Sequence, residues 1–249
     1  MAAAPWLSVV VPLHDEEHSL EPLHRELDAA LAGVTGGVEL IFVDDGSRDG
    51  SRARLRELAA KDPRVRVLAL DRQHGQSAAL DAGFRAARGA VVVTLDADGQ
   101  NDPADIPRLL AGLDRADVVN GVRVGRRDGW GRRASSAVAN GFRNAWTRES
   151  VTDVGCSLRV MRAETLRRVR LWRGAHRFLP TLLRLAGARV IELPVAHRPR
   201  RHGRSKYGVL DRLFAGLADV FGVRWLQSRA LHYEAREEPP PRDDPSPPP

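Results

Sequence analysis

VVVTLDADGQNDP, residues 91–103, is the stretch on which the reading of this chain turns. Three valines and a threonine suit a strand packed on both faces. That strand then runs into Asp96 and Asp98, two carboxylates two residues apart. Such a pair either closes a turn or holds something charged. In an extended segment, residues i and i+2 project to the same side, so both carboxylates can face one hard cation, with Gln100 adding a neutral oxygen. Mg2+ and Mn2+ suit such a site, because they take oxygen ligands and leave positions open for substrate phosphates. Alone, a D-x-D spacing is more often a turn or a cap. Its neighbours decide.

Upstream, LSVVVPL (7–13), VELIFVDDG (38–46) and RVRVLAL (64–70) predict three strands, and AVVVTLDAD (90–98) makes a fourth. Between them lie a helical segment carrying Leu20, Leu23, Leu27 and Leu31, a helix over 51–61, and another over 75–88. Strands alternating with helices predict an α/β fold with a mostly parallel, doubly wound sheet and right-handed crossovers. Near-continuous apolar strands agree, since both faces of such a sheet are covered. Asp49 and Ser51 read as caps of the helix after the second strand. Downstream, strands are expected at 116–123, 155–162 and 188–199, a Gly- and Arg-rich loop at 125–133, and a helix at 135–146. From Glu234 the tail EAREEPPPRDDPSPPP has the composition of a disordered segment.

With 249 residues and 43% hydrophobic content the chain can bury a sizeable core. The net charge is +7, most of it arginine, which suits phosphate recognition but would equally follow from an Arg-biased composition. No nucleic-acid partner is expected. Cys156 is the one cysteine, which excludes a disulfide framework or a thiolate zinc cluster, fits a reducing cytoplasm, and reads as buried and inert. The start, MAAAPWLSVVVPLHDEE, lacks a basic n-region and reads as a first strand rather than a signal peptide. No apolar window approaches the ~18 residues of a transmembrane helix.

In open α/β sheets ligands sit outside the carboxyl ends of the strands. Three strands here end in acids at that edge: His14-Asp15-Glu16-Glu17, Asp44-Asp45-Gly46-Ser47, and Asp96-Ala97-Asp98. Like charges gathered there repel unless a cation or hydrogen-bond donors compensate. A receiver-type domain also gathers acids at strand ends but would be far shorter and lack the Arg-rich second half. A dinucleotide-binding dehydrogenase would need G-x-G-x-x-G after the first strand, where this chain has VPLHDEE.

VVVPLHDEE, VDDGSRDGS, GQSAALDAGFRAARG and LDADGQNDPADIP together resemble the family 2 inverting glycosyltransferases of GT-A fold. GRRASSAVAN, DVGCSLRV, HRFLP and HRPRRHGRSKYG, followed by DRLFAGLADVFGVRWL, are similar to the polyprenyl-phosphate hexosyltransferases, the branch that contains dolichol-phosphate mannosyltransferase. The likeness spans about residues 6–230. It implies that Pro12, His14, Asp15 and Glu16 line the nucleotide, and that Asp44, Asp45, Gly75, Gln76, Asp96 and Ala97 belong to the donor site. It implies further that Asp96, Asp98 and Gln100 hold Mg2+ or Mn2+ against the donor diphosphate. Asp153 matches the acid near the acceptor, a base or an orienter, and is grouped with Asp98 as catalytic. Arg123, Arg132, Ser136, Arg201, Ser205 and Lys206 match positions for the acceptor phosphate. The chain departs from the family pattern at His14, where an aromatic is usual, and at Asp15, where Asn is usual.

The resemblance thus implies metal-dependent, inverting transfer of a hexose from GDP-mannose or a UDP-hexose to a polyprenyl phosphate. Alternatives are a saccharide acceptor on the same fold and a non-catalytic nucleotide-binding scaffold. Leu210, Leu213, Phe214, Leu217, Val220, Phe221 and Trp225 recur at three- and four-residue steps beside Arg212, Arg224 and Arg229, predicting either an in-plane membrane anchor or a helix packed on the core. The expected organisation is a catalytic domain over 1–209, this helix region over 210–233 and the tail over 234–249. The expected setting is the cytoplasmic face of the plasma membrane, as a peripheral protein for which a homodimer is compatible.

Overall fold

The computed structural model describes residues 4–124, 141, 145–147, 151–199 and 209–230, with side chains of the last helix described from Ala218 onward. The loop at 125–133, most of the helix expected at 135–146, and the tail lie outside these residues.

Seven strands form one sheet: β1 (Leu7–Leu13), β2 (Val38–Asp44), β3 (Val65–Ala69), β4 (Val91–Thr94), β5 (Val118–Val124), β6 (Arg159–Arg162) and β7 (Val190–Ala196). Their order across the sheet is β3-β2-β1-β4-β6-β5-β7. The first four are mutually parallel, β6 runs antiparallel between β4 and β5, and β7 is parallel to β5. The helices are α1 (Glu17–Leu31), α2 (Ser51–Lys61), α3 (Gln76–Ala86), α4 (Ile106–Ala111), α5 (Ala163–Leu166), α6 (Leu179–Leu185) and α7 (Val209–Arg229). The mostly parallel sheet with flanking helices is the one the alternation of apolar runs predicts.

Every residue of β1 is buried, as is every residue of β4, because helices cover both faces of the sheet. One core layer takes Val9, Val11, Phe42 and Val93 against α1 and α2; the other takes Val10, Ile41, Val43 and Val92 against α3, α5 and α6. The sign alternates residue by residue, as strand geometry requires. Glu39 is a buried acid in this framework. It accepts from the Ser8 hydroxyl at 2.6 Å, the Arg88 amide at 2.7 Å and Arg66 at 2.5 Å, which together hold its carboxyl below the usual range against the opposing effect of burial.

Two expectations are corrected. β4 ends at Thr94, before Asp96, and Asp98 stands on a turn, so the same-side argument from strand spacing does not apply to the pair. The turn is closed by Asp98, which accepts from the Gln100 amide at 3.1 Å, and by Gly99 at φ 72°. Ser51 is the first residue inside α2, not its cap. Asp49 instead bridges two helix starts, accepting from the Ser51 amide at 3.0 Å and the Glu17 amide at 3.2 Å.

Candidate active site

Because β2, β1 and β4 are neighbours and parallel, their carboxyl ends lie side by side, and the three acidic motifs of the sequence meet at one edge. Their carboxylates do different work there. Asp44 is fully buried, accepting from the Ser47 amide at 2.9 Å and from Arg52 Nε at 2.9 Å. Asp45 accepts from the amides of His74 at 2.7 Å and Gly75 at 2.8 Å, and so fixes the approach to α3. Between them and that approach, Gly46 has φ 68°, and a Cβ there would sit 2.5 Å from the backbone of Arg72, so only glycine lets the two loops touch.

His14 Nδ1 donates to the Asp45 carbonyl at 2.8 Å, and its Nε2 lies 3.3 Å from Asp15. Asp15, at φ 54°, accepts from the Arg48 amide at 2.7 Å, while its own amide donates to Ser47 Oγ. Glu16 accepts from the Ser19 hydroxyl at 3.1 Å. Much of the acid in the first two motifs is thus engaged in building the loops that frame the edge.

Asp96 is different, because it lines a cavity of about 220 Å3 whose wall includes Pro12, Gln76, Leu80, Leu95, Arg159 and His176. Gln76, the first residue of α3, donates to Asp96 Oδ1 at 2.7 Å. Ser157 Oγ accepts from the Asp96 amide at 3.2 Å and from Asn101 Nδ2 at 2.7 Å, and its hydroxyl turns to the Asp96 carboxylate. Burial and then the charge of Asp98 push the Asp96 carboxyl up to about 6, against the pull of Ser157, Arg159 and Arg123. Ala97 and Asp98 are buried beside it, and the Gln100 side chain reaches the Arg198 carbonyl at 3.5 Å.

Asp153, from the loop before β6, is clamped by Arg123 at the end of β5. Arg123 Nε and Nη2 donate to the two carboxylate oxygens at 2.7 and 2.8 Å, and the Arg123 and Gly155 amides donate to them as well. Burial works against the charge of Arg123, yet the Asp153 bond raises its pKa overall. Cys156 beside it is buried, and its thiol is pushed up to about 11 by that burial. Its burial is what the sequence suggests. Arg132, Ser136, Arg201, Ser205 and Lys206 lie outside the described residues.

The sequence reading missed Arg159. This residue of β6 is only 3% exposed and donates through Nε to Asn120 Oδ1 at 2.8 Å and through Nη2 to the Val154 carbonyl at 2.9 Å. Burial lowers its pKa. An arginine inside the apolar run SLRVMR was the available signal, since arginine is seldom fully buried without partners. Ser77 and Ser157 gave no signal, because a hydroxyl carries no pattern.

Among the described residues no three His, Cys, Asp or Glu side chains cluster as a complete metal site. Asp96 and Asp98 fit a divalent cation in a narrower sense. They offer hard oxygens, and burial together with the neighbouring charge of Asp98, which raise the Asp96 pKa, is what a cation would offset.

The Glycosyl transferase family 2 model matches residues 8–170. The chain belongs to glycosyl transferase family 2. Among curated relatives it is 41% identical over 208 residues to the undecaprenyl-phosphate 4-deoxy-4-formamido-L-arabinose transferase of Edwardsiella ictaluri (strain 93-146), covering 82% of this chain and 64% of that one. It is 37% identical over 236 residues to the dodecaprenyl-phosphate galacturonate synthase of Rhizobium johnstonii, covering 92% and 68%. The chain therefore spans about two thirds of the length of these relatives. The glucosyl-3-phosphoglycerate synthase of Mycobacterium tuberculosis, solved with Mg2+ and UDP, shares the fold, with a TM-score of 0.65 at 24% identity over 91% of this chain and 79% of that one. Family membership, the GT-A-like architecture and the polyprenyl-phosphate branch among its relatives agree with the resemblance seen in the motifs.

Proposed function

We propose that this family 2 chain transfers a hexose from a nucleotide-sugar to a polyprenyl phosphate, with inversion at the anomeric carbon. The observation that carries it is the cavity at the carboxyl end of β4, lined by Asp96, Arg159 and the Val154–Ser157 segment, with the charges of Asp98 and Arg123 acting on Asp96. The donor diphosphate belongs at Asp96 and Asp98, which would hold Mg2+ or Mn2+; the cation, when bound, supplies countercharge to the leaving diphosphate. Gln76 holds the Asp96 carboxylate in place, and His14, Asp45 and Gly75 shape the loops where the nucleotide rests.

In the reaction an acceptor phosphate oxygen forms a bond to the anomeric carbon as the bond to the diphosphate oxygen breaks, the electron pair leaving with the nucleoside diphosphate. The acceptor, a phosphate monoester with a second pKa near 6, is already largely a dianion at neutral pH and needs no proton removed. Asp153 accordingly acts as an orienter. Its two-pronged bond to Arg123 holds that guanidinium in one direction, with the remaining N–H groups of Arg123 available to the acceptor phosphate. The saccharide acceptor is the competing reading.

Incubation with labelled donor and polyprenyl phosphate should carry label into the organic phase. Label on a soluble saccharide instead overturns the acceptor assignment. Asp98→Ala should abolish metal-dependent donor binding, measured by titration with and without Mg2+; undiminished binding would remove the metal assignment.

The lipid acceptor places the chain at a membrane surface, on the cytoplasmic face. No helix among the described residues is long and apolar enough to cross a bilayer. α7 supports contact in the plane instead. Val220 and Val223 pack inward on Ala175, Phe178 and Leu182, whereas Phe221 and Trp225 stay 53% and 61% exposed. Trp146 joins them edge-on to Phe221, with centroids 5.1 Å apart.

A further inference from the structure

Ser77, the second residue of α3, is buried and meets the segment before α6 at three points. Its Oγ accepts from the Gly174 amide and from the His176 amide, both at 3.2 Å, and lies 2.8 Å from His176 Nδ1. Two N–H groups occupy the lone pairs of this oxygen, so its single proton goes to Nδ1. Nδ1 is then an acceptor, and the imidazole proton resides on Nε2. Among the described residues no protein acceptor meets Nε2, although the His176 ring lines the same cavity as Asp96. The charged form is disfavoured as well. Burial first, then the charges of Arg177 and Arg159, push His176 down to about 3. At neutral pH the ring is a fixed, uncharged donor, with no free lone pair to serve as a base.

We propose that His176 is a specificity-determining residue that donates its Nε2–H to an oxygen of the glycosyl group carried by the nucleotide-sugar, with Ser77 as the positioning residue that sets the tautomer. The inference rests on the donor-site reading above. The lining chemistry accommodates a sugar ring. Leu80, Leu95 and Val154 offer an apolar wall to a ring face, while Gln76 and His176 offer directed hydrogen bonds to its edge and Arg159 and Arg177 bring positive charge to the rim for the adjoining phosphate. A neutral donor orients a hydroxyl without the electrostatic pull that a phosphate would call for.

The test compares each intact donor with its bare nucleoside diphosphate, UDP-glucose against UDP and GDP-mannose against GDP, by calorimetric titration in the presence of Mg2+. His176→Leu should weaken the accepted nucleotide-sugar about tenfold and leave the matching diphosphate unchanged, while His176→Gln, which keeps an N–H near Nε2, should restore most of the loss. Equal weakening of both ligands, or of neither, overturns the proposal while leaving the donor-site reading intact. Failure of the unsubstituted protein to bind any of the four overturns that reading, and this inference with it. Independently, 15N-edited NMR of the free protein at pH 7 should show a neutral His176 ring protonated on Nε2, and Ser77→Ala should shift that signature. An Nδ1–H or doubly protonated ring would sink the tautomer assignment.

Discussion

The chemistry of the candidate site is decided by where single protons and lone pairs point. Ser157 illustrates it, accepting twice and returning its own proton to Asp96, so one hydroxyl ties the acidic turn to the loop before β6. Arg159 is held by Asn120 Oδ1 and the Val154 carbonyl, both of which lose their donor if it is removed. Arg159→Met should therefore destabilise the protein by about 1–3 kcal/mol, read as a lower urea midpoint, and should reduce transfer by more than the lost folded fraction explains. Gly155 gives a sharper probe. A Cβ there would come 2.5 Å from Arg123 Nη2, which is fixed on Asp153. Gly155→Ala should displace the guanidinium and lower kcat/KM for transfer by at least about tenfold, with a stability change within about 1 kcal/mol. A wild-type kcat/KM would dissociate the Arg123–Asp153 pair from catalysis.

Among the elements, the α1–α2–β3 layer is closed by one carboxylate. Asp62, at the end of α2, accepts from Arg64 Nη2 and from His24 Nε2 of α1, each at 2.8 Å, and Arg64 reaches on to Asp28 at 2.6 Å. The Arg64 hydrogen bonds hold the Asp62 carboxyl well below the usual carboxylate range. A depressed folded pKa contributes stability that is fully present above the unfolded value near 3.9 and is lost as pH falls below it. Asp62→Asn should then cost about 1–3 kcal/mol at pH 7, and the gap to the parent should narrow between about pH 4 and pH 2 in denaturant titrations. A gap independent of pH would show that shape rather than charge is what Asp62 supplies. Element by element, the apolar strands were legible because period and burial agree, whereas α4, α5 and α6 were not, being four to seven residues long and too short to display a helical period.

At the scale of the whole molecule, α7 packs on the core with one side of its described part and leaves aromatic side chains exposed on the other. Val220 and Val223 are on one side and Phe221 and Trp225 on the other, with Trp146 extending the aromatic patch. Aromatic side chains at such a surface, near Arg224 and Arg229, suit the headgroup level of an anionic bilayer. The double substitution Phe221→Ala/Trp225→Ala should lose cosedimentation with vesicles containing anionic phospholipid while retaining nucleotide binding. Raising the salt should weaken the parent's vesicle binding only in part, since the apolar component is not screened. Undiminished cosedimentation of the double variant would relocate the membrane contact.

Sequence alone determined the strands, the acids that end them and the family they point to, because those properties depend on residues close along the chain. Asp96, Asp98, Gln76 and Asp153 were all visible in that way. Only the tertiary structure decided which strand ends meet, since the order β2-β1-β4 and the antiparallel insertion of β6 follow from how layers pack and not from any local pattern. It also put Asp96 and Asp98 beyond the end of the strand, brought Arg159 to the same cavity as Asp96, and joined Ser77 to His176 across 99 positions of sequence. A hydroxyl and an imidazole so far apart acquire a defined proton only when two folded segments place them 2.8 Å from each other.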